Sequence, residues 1–429
     1  MSASLAGAIK SATCWRLRTH VRLTLIFVLL ASALTACTGL RSGSGSEKEG
    51  PVARLWRVNA AARDFERFTR QGTTLSTEGA LELDASAPTR DEPFPVSAQP
   101  GAPVVTGYRV GSAVLSEHPV PERFGSAVPS LEALTPPGTW VRVTLAARVG
   151  GTWTRDYDFG PWAFDKGTMV RRSVDGQDDA HGKVFTDTLV LKQPADAVRT
   201  TVWLYSTTPG VTPRVRALSL ALSDKDRTPV DGPSDRTAWG TVLDVPGLSQ
   251  MVYPEGGPVW CSPTSTTMVL AYWARKLGRP ELAEPVPTAA ANTYDEVYQG
   301  TGNWSFNTAY ASARGDGALH SMVARLDSFA QVERFIAAGI PVVISIAYRD
   351  GILTGTAGYV SDGHLIVVKG FTPTGDVVCN DPAFPSDDKV HVTYKRDELW
   401  RAWRHSKGAV YVMWPAGTPL PAGAVAPVP

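Results

Sequence analysis

The chain has 429 residues, 43% hydrophobic and 19% charged, with a formal net charge of +1. This is the composition of a globular protein with ample core, and the length suggests two to three domains. The near-neutral balance, with no basic stripe, argues against nucleic-acid binding, and 39 glycines and 33 prolines favour strands and turns over long helices.

Residues 1–36 read as a targeting segment. Lys10, Arg16, Arg18 and Arg22 form a basic start, and an apolar run from Leu23 to Leu34 follows. The run is too short, with the wrong flanks, for a stable membrane span. It ends in Leu34-Thr35-Ala36-Cys37, which resembles a bacterial lipobox. That resemblance implies a lipidated Cys37 and an extracytoplasmic protein held to the bacterial membrane by its anchor alone. The segment carries four basic and no acidic side chains, so the rest of the chain is near −3. Residues 37–50 then form a flexible tether.

Residues 51–222 read as all-β, a β-sandwich or jelly roll. Val141–Leu145 alternates apolar and polar residues as a half-buried strand does. Val184–Leu191, Thr201–Tyr205 and Leu218–Leu222 have similar patterns, with glycine- and proline-containing turns between them. Trp153, Tyr157, Phe159, Trp162 and Phe164 cluster near a Gly-Pro turn. They make either sandwich core, the more ordinary reading, or an exposed set for sugar or cell-wall polymer. The polar stretch 223–240 is a linker.

Residues 241–416 mix helices and strands, and 417–429 is a proline-, alanine- and glycine-rich tail expected to be disordered. A helix begins near Cys261, with Ser262 as N-cap and Pro263 in the first turn, and stops at Gly278. Its apolar residues run nearly all round, so it is buried. Cys261 at its start sits where the helix dipole favours a thiolate, which suits a nucleophile; a small buried hydrophobe is the other reading. Ser328–Gln331 has the pattern of a capping box, and Pro341–Ile346 is a buried strand. His364 opens an apolar strand, and a turn at Pro373–Gly375 returns the chain to Asp381. A hairpin of even loop length puts His364 and Asp381 on one face, as a base with its orienting carboxylate requires. Asn303–Asn307, with Tyr294, Tyr298 and Tyr310, either lines a groove or packs the core. The remaining histidines, His118, His181, His320, His391 and His405, have no metal-ligand spacing, so no cofactor is expected.

Val245-Pro246, Gln250 and the run Cys261–Trp273 resemble the start of the papain-like peptidases of cysteine peptidase family thirty-nine, relatives of the domain that trims double-glycine leaders from bacteriocins. Gly339–Ser345, Gly363–Val368 and Asn380-Asp381-Pro382 match later blocks in order. The resemblance covers about 170 of the 429 residues. It implies an α+β architecture with a central helix packed on an antiparallel sheet. It further implies Cys261 as nucleophile, His364 as general base, Asp381 as orienter and Gln250 as oxyanion-hole donor with the Cys261 N–H. Two departures stand out: Ser262 replaces the family's glycine, and the Gln250–Cys261 spacing of eleven residues is long.

The expected protein is a cell-surface cysteine hydrolase, a peptidase or amidase acting through a Cys–His–Asp triad and a thioester acyl-enzyme. Its substrates are peptide or amide compounds, including cell-wall or secreted peptides. The alternative is a catalytically inactive or redox-gated binding protein of the cell envelope. The redox version turns on Cys379, the second cysteine of residues 51–429, which is either a buried free thiol or bridged to Cys261.

Overall fold

The computed structural model describes residues 48–49, 53–165, 167–349 and 351–428. The expected targeting segment, Cys37 and nearly all of the tether lie outside them. The N-terminal half contains β1 (Ala53–Asn59), β2 (Tyr108–Leu134), β3 (Thr139–Val149), β4 (Thr188–Ser206) and β5 (Arg214–Ser223). With shorter strands they form one twelve-stranded antiparallel sheet, in which β3, β4, β2 and β5 are successive neighbours. Strands β2 and β4 pair over most of their length, with register shifts around Ala195–Thr200 opposite the stretch holding Pro119 and Pro121. Proline offers no ladder N–H, so the ladder breaks and bends there.

Val141, Val143 and Leu145 of β3 enter the main core, as their alternation requires. Val184–Leu191 departs from the continuous strand expected of it. It is a hairpin, with Gly182–Phe185 paired to the start of β4 around a turn at Thr186 and Asp187. Thr186 has φ 56°, and polar Asp187 is used elsewhere, as described below. Of the aromatic set, Tyr157, Phe159 and Trp162 are core residues. Trp162 lies 5.6 Å from Phe306, and Phe164 stacks on Tyr310 at 6.1 Å. These rings join the two halves.

The C-terminal half runs α1 (Cys261–Leu277), α2 (Val286–Thr293), α3 (Trp304–Gly315), β6 (Leu319–Arg325), α4 (Phe329–Ala337), β7 (Val342–Tyr348), β8 (Ser361–Phe371), β9 (Val377–Asn380), β10 (His391–Tyr394), α5 (Arg396–Trp403) and β11 (Ala409–Pro415). Its six strands form an antiparallel sheet in the order β6-β11-β7-β8-β9-β10. Helix α1 lies against β8, fastened by the Ser265 hydroxyl donating to the Leu365 carbonyl at 2.9 Å. The Trp273 indole N–H ties it to the Met413 carbonyl of β11. This is the central helix on an antiparallel sheet that a papain-like fold requires.

Two local expectations change. Trp260, not Ser262, occupies the N-cap of α1, and no side chain caps that end. The Ser262 hydroxyl is turned to the Tyr411 hydroxyl at 2.8 Å instead. At α4 the capping box does not form. Ser328 makes no side-chain cap, Asp231 of the 223–240 stretch takes the Phe329 N–H, and Gln331 accepts from the Asp327 N–H. A tertiary partner outcompetes the local one.

The halves share one continuous hydrophobic core. Edge strand β6 is blunted by β2: Glu132 accepts from the Ser321 N–H and Ser130 from the Val323 N–H, which satisfies an otherwise open edge. Asp187 reaches across to accept the Trp304 N–H at the start of α3. The terminal segment is not a free tail. Leu55 of β1 accepts from the Val428 N–H and donates to the Ala426 carbonyl, both at 2.8 Å. The free side of β1 offers backbone partners that proline-rich chain can still use.

Candidate active site

Cys261, His364 and Asp381 come together between α1, β8 and the end of β9. In the β8–β9 ladder Val367 lies opposite Asn380. One step further along that register sets Asp381 opposite Ile366, two residues from His364 and on its face. His364 Nε2 is 2.7 Å from Asp381 Oδ1. Its Nδ1 has no partner at ordinary nitrogen–oxygen hydrogen-bond geometry, while the Cys261 thiol contributes a hydrogen bond and charge interaction to the ring. Burial by itself pushes the His364 pKa down. The Asp381 charge and hydrogen bond, followed by Cys261, reverse this and lift it to about 10. Burial acts to raise the Asp381 pKa; the His364 charge and hydrogen bonds from His364 and Tyr394 hold it below the usual carboxylate value.

Three further contacts fix the carboxylate. Tyr394 donates to Oδ2 at 2.7 Å, and the Ala383 N–H donates to Oδ1 at 3.0 Å. Tyr359 donates to Oδ1 at 3.4 Å, and its ring meets the imidazole edge-on at 5.4 Å. Sequence reading missed Tyr359 and Tyr394. Tyr394 reaches the site through the β9–β10 pairing, in which Val377 lies opposite Tyr394, and no local pattern announces it.

Gln250 is fully buried. Its segment is stitched to the Asp381 loop: the Gln250 N–H donates to the Pro382 carbonyl and the Ser249 hydroxyl to the Phe384 carbonyl. The side-chain Nε2 donates to the Gly257 carbonyl at 2.7 Å, and Oε1 has no protein partner. An amide nitrogen carries two hydrogens, so one remains beyond that bond. The eleven-residue spacing is taken up by a loop folded on itself, with Gly257 so close to the Gln250 carbonyl that a Cβ there would lie 2.1 Å from it.

Cys379 and Cys261 are both buried thiols, not bridged to each other. Burial first, and the Asp381 charge second, push the Cys379 pKa well above the ordinary thiol value. Phe306 packs in the core and Trp304 lies beside Arg325; Tyr294 is 44% exposed. Tyr294 lines a cleft of about 600 Å³ together with Glu255, Gly256, Trp260 and, from the N-terminal half, Val170 and Arg171. Trp260 immediately precedes Cys261.

Residues 55–223 match the family described as the Peptidase C39 N-terminal domain, and residues 242–411 match the Peptidase_C39 like family. Among curated proteins none matches the chain. The C-terminal match suggests a cysteine peptidase-like hydrolase. With both halves matched and the helix-on-sheet architecture in place, the chain belongs to the papain-like C39 peptidase family.

Proposed function

We propose that this protein is a secreted thiol hydrolase of peptide or amide bonds, anchored outside the membrane through Cys37. The observation that carries the reading is His364 held between Asp381 and Cys261. Cys261 stands at a helix end that no side chain caps, with no acidic residue in the first turn, where dipole and free N–H groups favour a thiolate.

In this reading the Cys261 sulfur attacks the substrate carbonyl carbon. The Cys261 N–H and the second Gln250 Nε2 hydrogen take the oxyanion. The carbon–nitrogen bond breaks as His364 gives its proton to the leaving amine. Water then attacks the thioester while His364 accepts its proton, and the acid leaves as the thiol re-forms. Asp381 keeps the imidazole oriented and its charged form stabilised. The cleft beside Trp260 is the substrate's approach, and its Val170–Arg171 wall gives the N-terminal half a share in selecting substrate. We also infer that the large N-terminal sheet folds over as a sandwich, since β2 and β4 bend together.

One observation favours the alternative of a catalytically silent binding protein. Cys261 is only 1% exposed and His364 fully buried, so chemistry needs the site to open. The deciding experiment is alkylation of the soluble chain beginning after Cys37, with labelled cysteines mapped by mass spectrometry across pH. The hydrolase reading expects labelling of Cys261 near neutral pH, slowed at least tenfold by His364→Ala, with Cys379 untouched. An inert Cys261 under conditions where the protein is folded sinks it.

A further inference from the structure

The face of the N-terminal sheet opposite its main core carries a second, mostly buried aromatic cluster. In β3 the residues between Val141, Val143 and Leu145 are Trp140, Arg142 and Thr144. Their partners on β4 are Tyr205, Trp203 and Thr201, and Val110 of β2 lies opposite Tyr205. A face turned away from the core is ordinarily polar. Here Tyr108, Trp140 and Tyr205, with half-buried Phe94, Val110 and Trp203, form a cluster separate from the main core. Trp140 and Tyr205 stack at 4.9 Å with planes 3° apart.

Phe94, Tyr108, Val110, Trp203 and Tyr205 of this cluster floor a groove of about 700 Å³, with fully buried Trp140 behind them, within the size range of small-molecule sites. Arg142 stands in it as a positioned planar donor. Its Nη2 meets Asp158 at 2.6 Å and its Nε at 3.3 Å, and the guanidinium lies 5.9 Å from the Phe94 ring centre. Gln177 braces the same carboxylate's backbone from both sides: it accepts from the Asp158 N–H and donates to the Asp158 carbonyl. The rim adds Arg90, Arg155, Glu92, Asp156 and Asp175. Cations and carboxylates are thus nearly balanced, which disfavours a phosphate or nucleic-acid ligand, since those need a positive field.

We propose that this groove binds a carbohydrate chain. Sugar rings present apolar C–H faces that stack on half-exposed aromatic rings, and hydroxyls that both donate and accept. A near-neutral groove pairing aromatic rings with fixed Arg–Asp planes meets both demands. The site lies wholly within the N-terminal half, so it stands independently of the hydrolase reading, and it gives that half a task of its own: holding the protein on a glycan polymer.

The test uses the full chain from residue 38 carrying Cys261→Ala, so that no cleavage can intervene. Binding is measured by titration calorimetry against soluble N-acetylglucosamine and mixed β-linked oligosaccharides, and by co-sedimentation with purified cell-wall glycan stripped of peptide. Saturable binding is expected, weakened at least tenfold by Trp203→Ala and by Arg142→Ala. Exposed Arg90→Ala serves as a rim variant that leaves the aromatic floor in place, with an expected two- to fivefold loss; circular dichroism checks the fold of all three. No binding to any of these glycans, binding that all three variants retain, or binding to the peptide fraction alone would overturn the proposal.

Discussion

Two buried thiols flank the same strand, and they are opposites. Cys261 reaches β8 from the uncapped end of α1 and faces His364. Cys379 reaches it from β9, two residues before Asp381, and meets that carboxylate's charge. Neither is in a disulfide, and both are shielded from water. In the proposed hydrolase, burial therefore does not distinguish the reactive cysteine from the structural one; the neighbouring charge does. Asp381 serves both outcomes, since it holds a cationic partner next to Cys261 and opposes a thiolate at Cys379.

The largest effect that would break this contrast is loss of one thiol or the other. Cys261→Ala is expected to lower hydrolysis of a peptide or amide substrate by about 10⁴-fold or more. Cys379→Ala should leave the rate within a few-fold, at a stability cost on the order of 1 kcal/mol. Equal losses, measured as kcat/KM on the same substrate, would erase the distinction. Next in size, Asp381→Asn should reduce kcat by roughly 10²- to 10⁴-fold with little change in KM. Tyr394→Phe, which leaves one carboxylate oxygen short of a donor, should cost about 1–3 kcal/mol in stability, read from denaturant midpoints.

The pH dependence sharpens the comparison further. The folded state binds the His364 proton more tightly than the unfolded chain does, because its pKa is raised from 6.5 to about 10. The stability it contributes is complete below about 6.5 and is lost as pH rises through about 10. Thermal unfolding should show this loss in the native protein and not in His364→Gln, and kcat should fall over the same alkaline limb. The smallest effect belongs to the contact between halves. Burial lifts the Asp187 pKa to about 6, against hydrogen bonds from Trp304, Thr188 and Ser305. Its contribution is full below about 4 and is lost as pH rises through about 6. Asp187→Asn keeps an acceptor for α3 and should flatten stability between those pH values. Asp187→Ala removes the acceptor of the Trp304 N–H, with Asn303 still the N-cap of α3, and should cost about 1 kcal/mol.

Much of the site was legible before any coordinates. Cys261 announces itself by preceding a buried helical run, a local signal set by the 3.6-residue period. The expected even hairpin loop does not hold: five residues separate Phe371 from Val377, and a register shift between Val368 and Gly370 is what brings His364 and Asp381 onto one face. Tyr394 and Tyr359 left no local signal, because an isolated tyrosine carries the same pattern in a core as beside a carboxylate. Capping failed where a distant acceptor or a neighbouring element won. Asp231 displaced the Ser328 box, and Ser262 turned to Tyr411 instead of closing its own helix.

The sequence by itself determined most of the strand and helix alternations and the position of the thiol at a helix start. These depend on residues near one another along the chain. Tertiary structure alone decided that the two halves share a core, that Asp187 takes the Trp304 N–H of a helix more than a hundred residues away and that Ala426 and Val428 bond to Leu55 of β1. It also decided that Phe94, Arg142, Trp203 and Tyr205 converge on one groove. Such outcomes turn on which buried N–H, carboxylate or ring finds a partner first in three dimensions, and the spacing of residues along a chain carries no record of that competition.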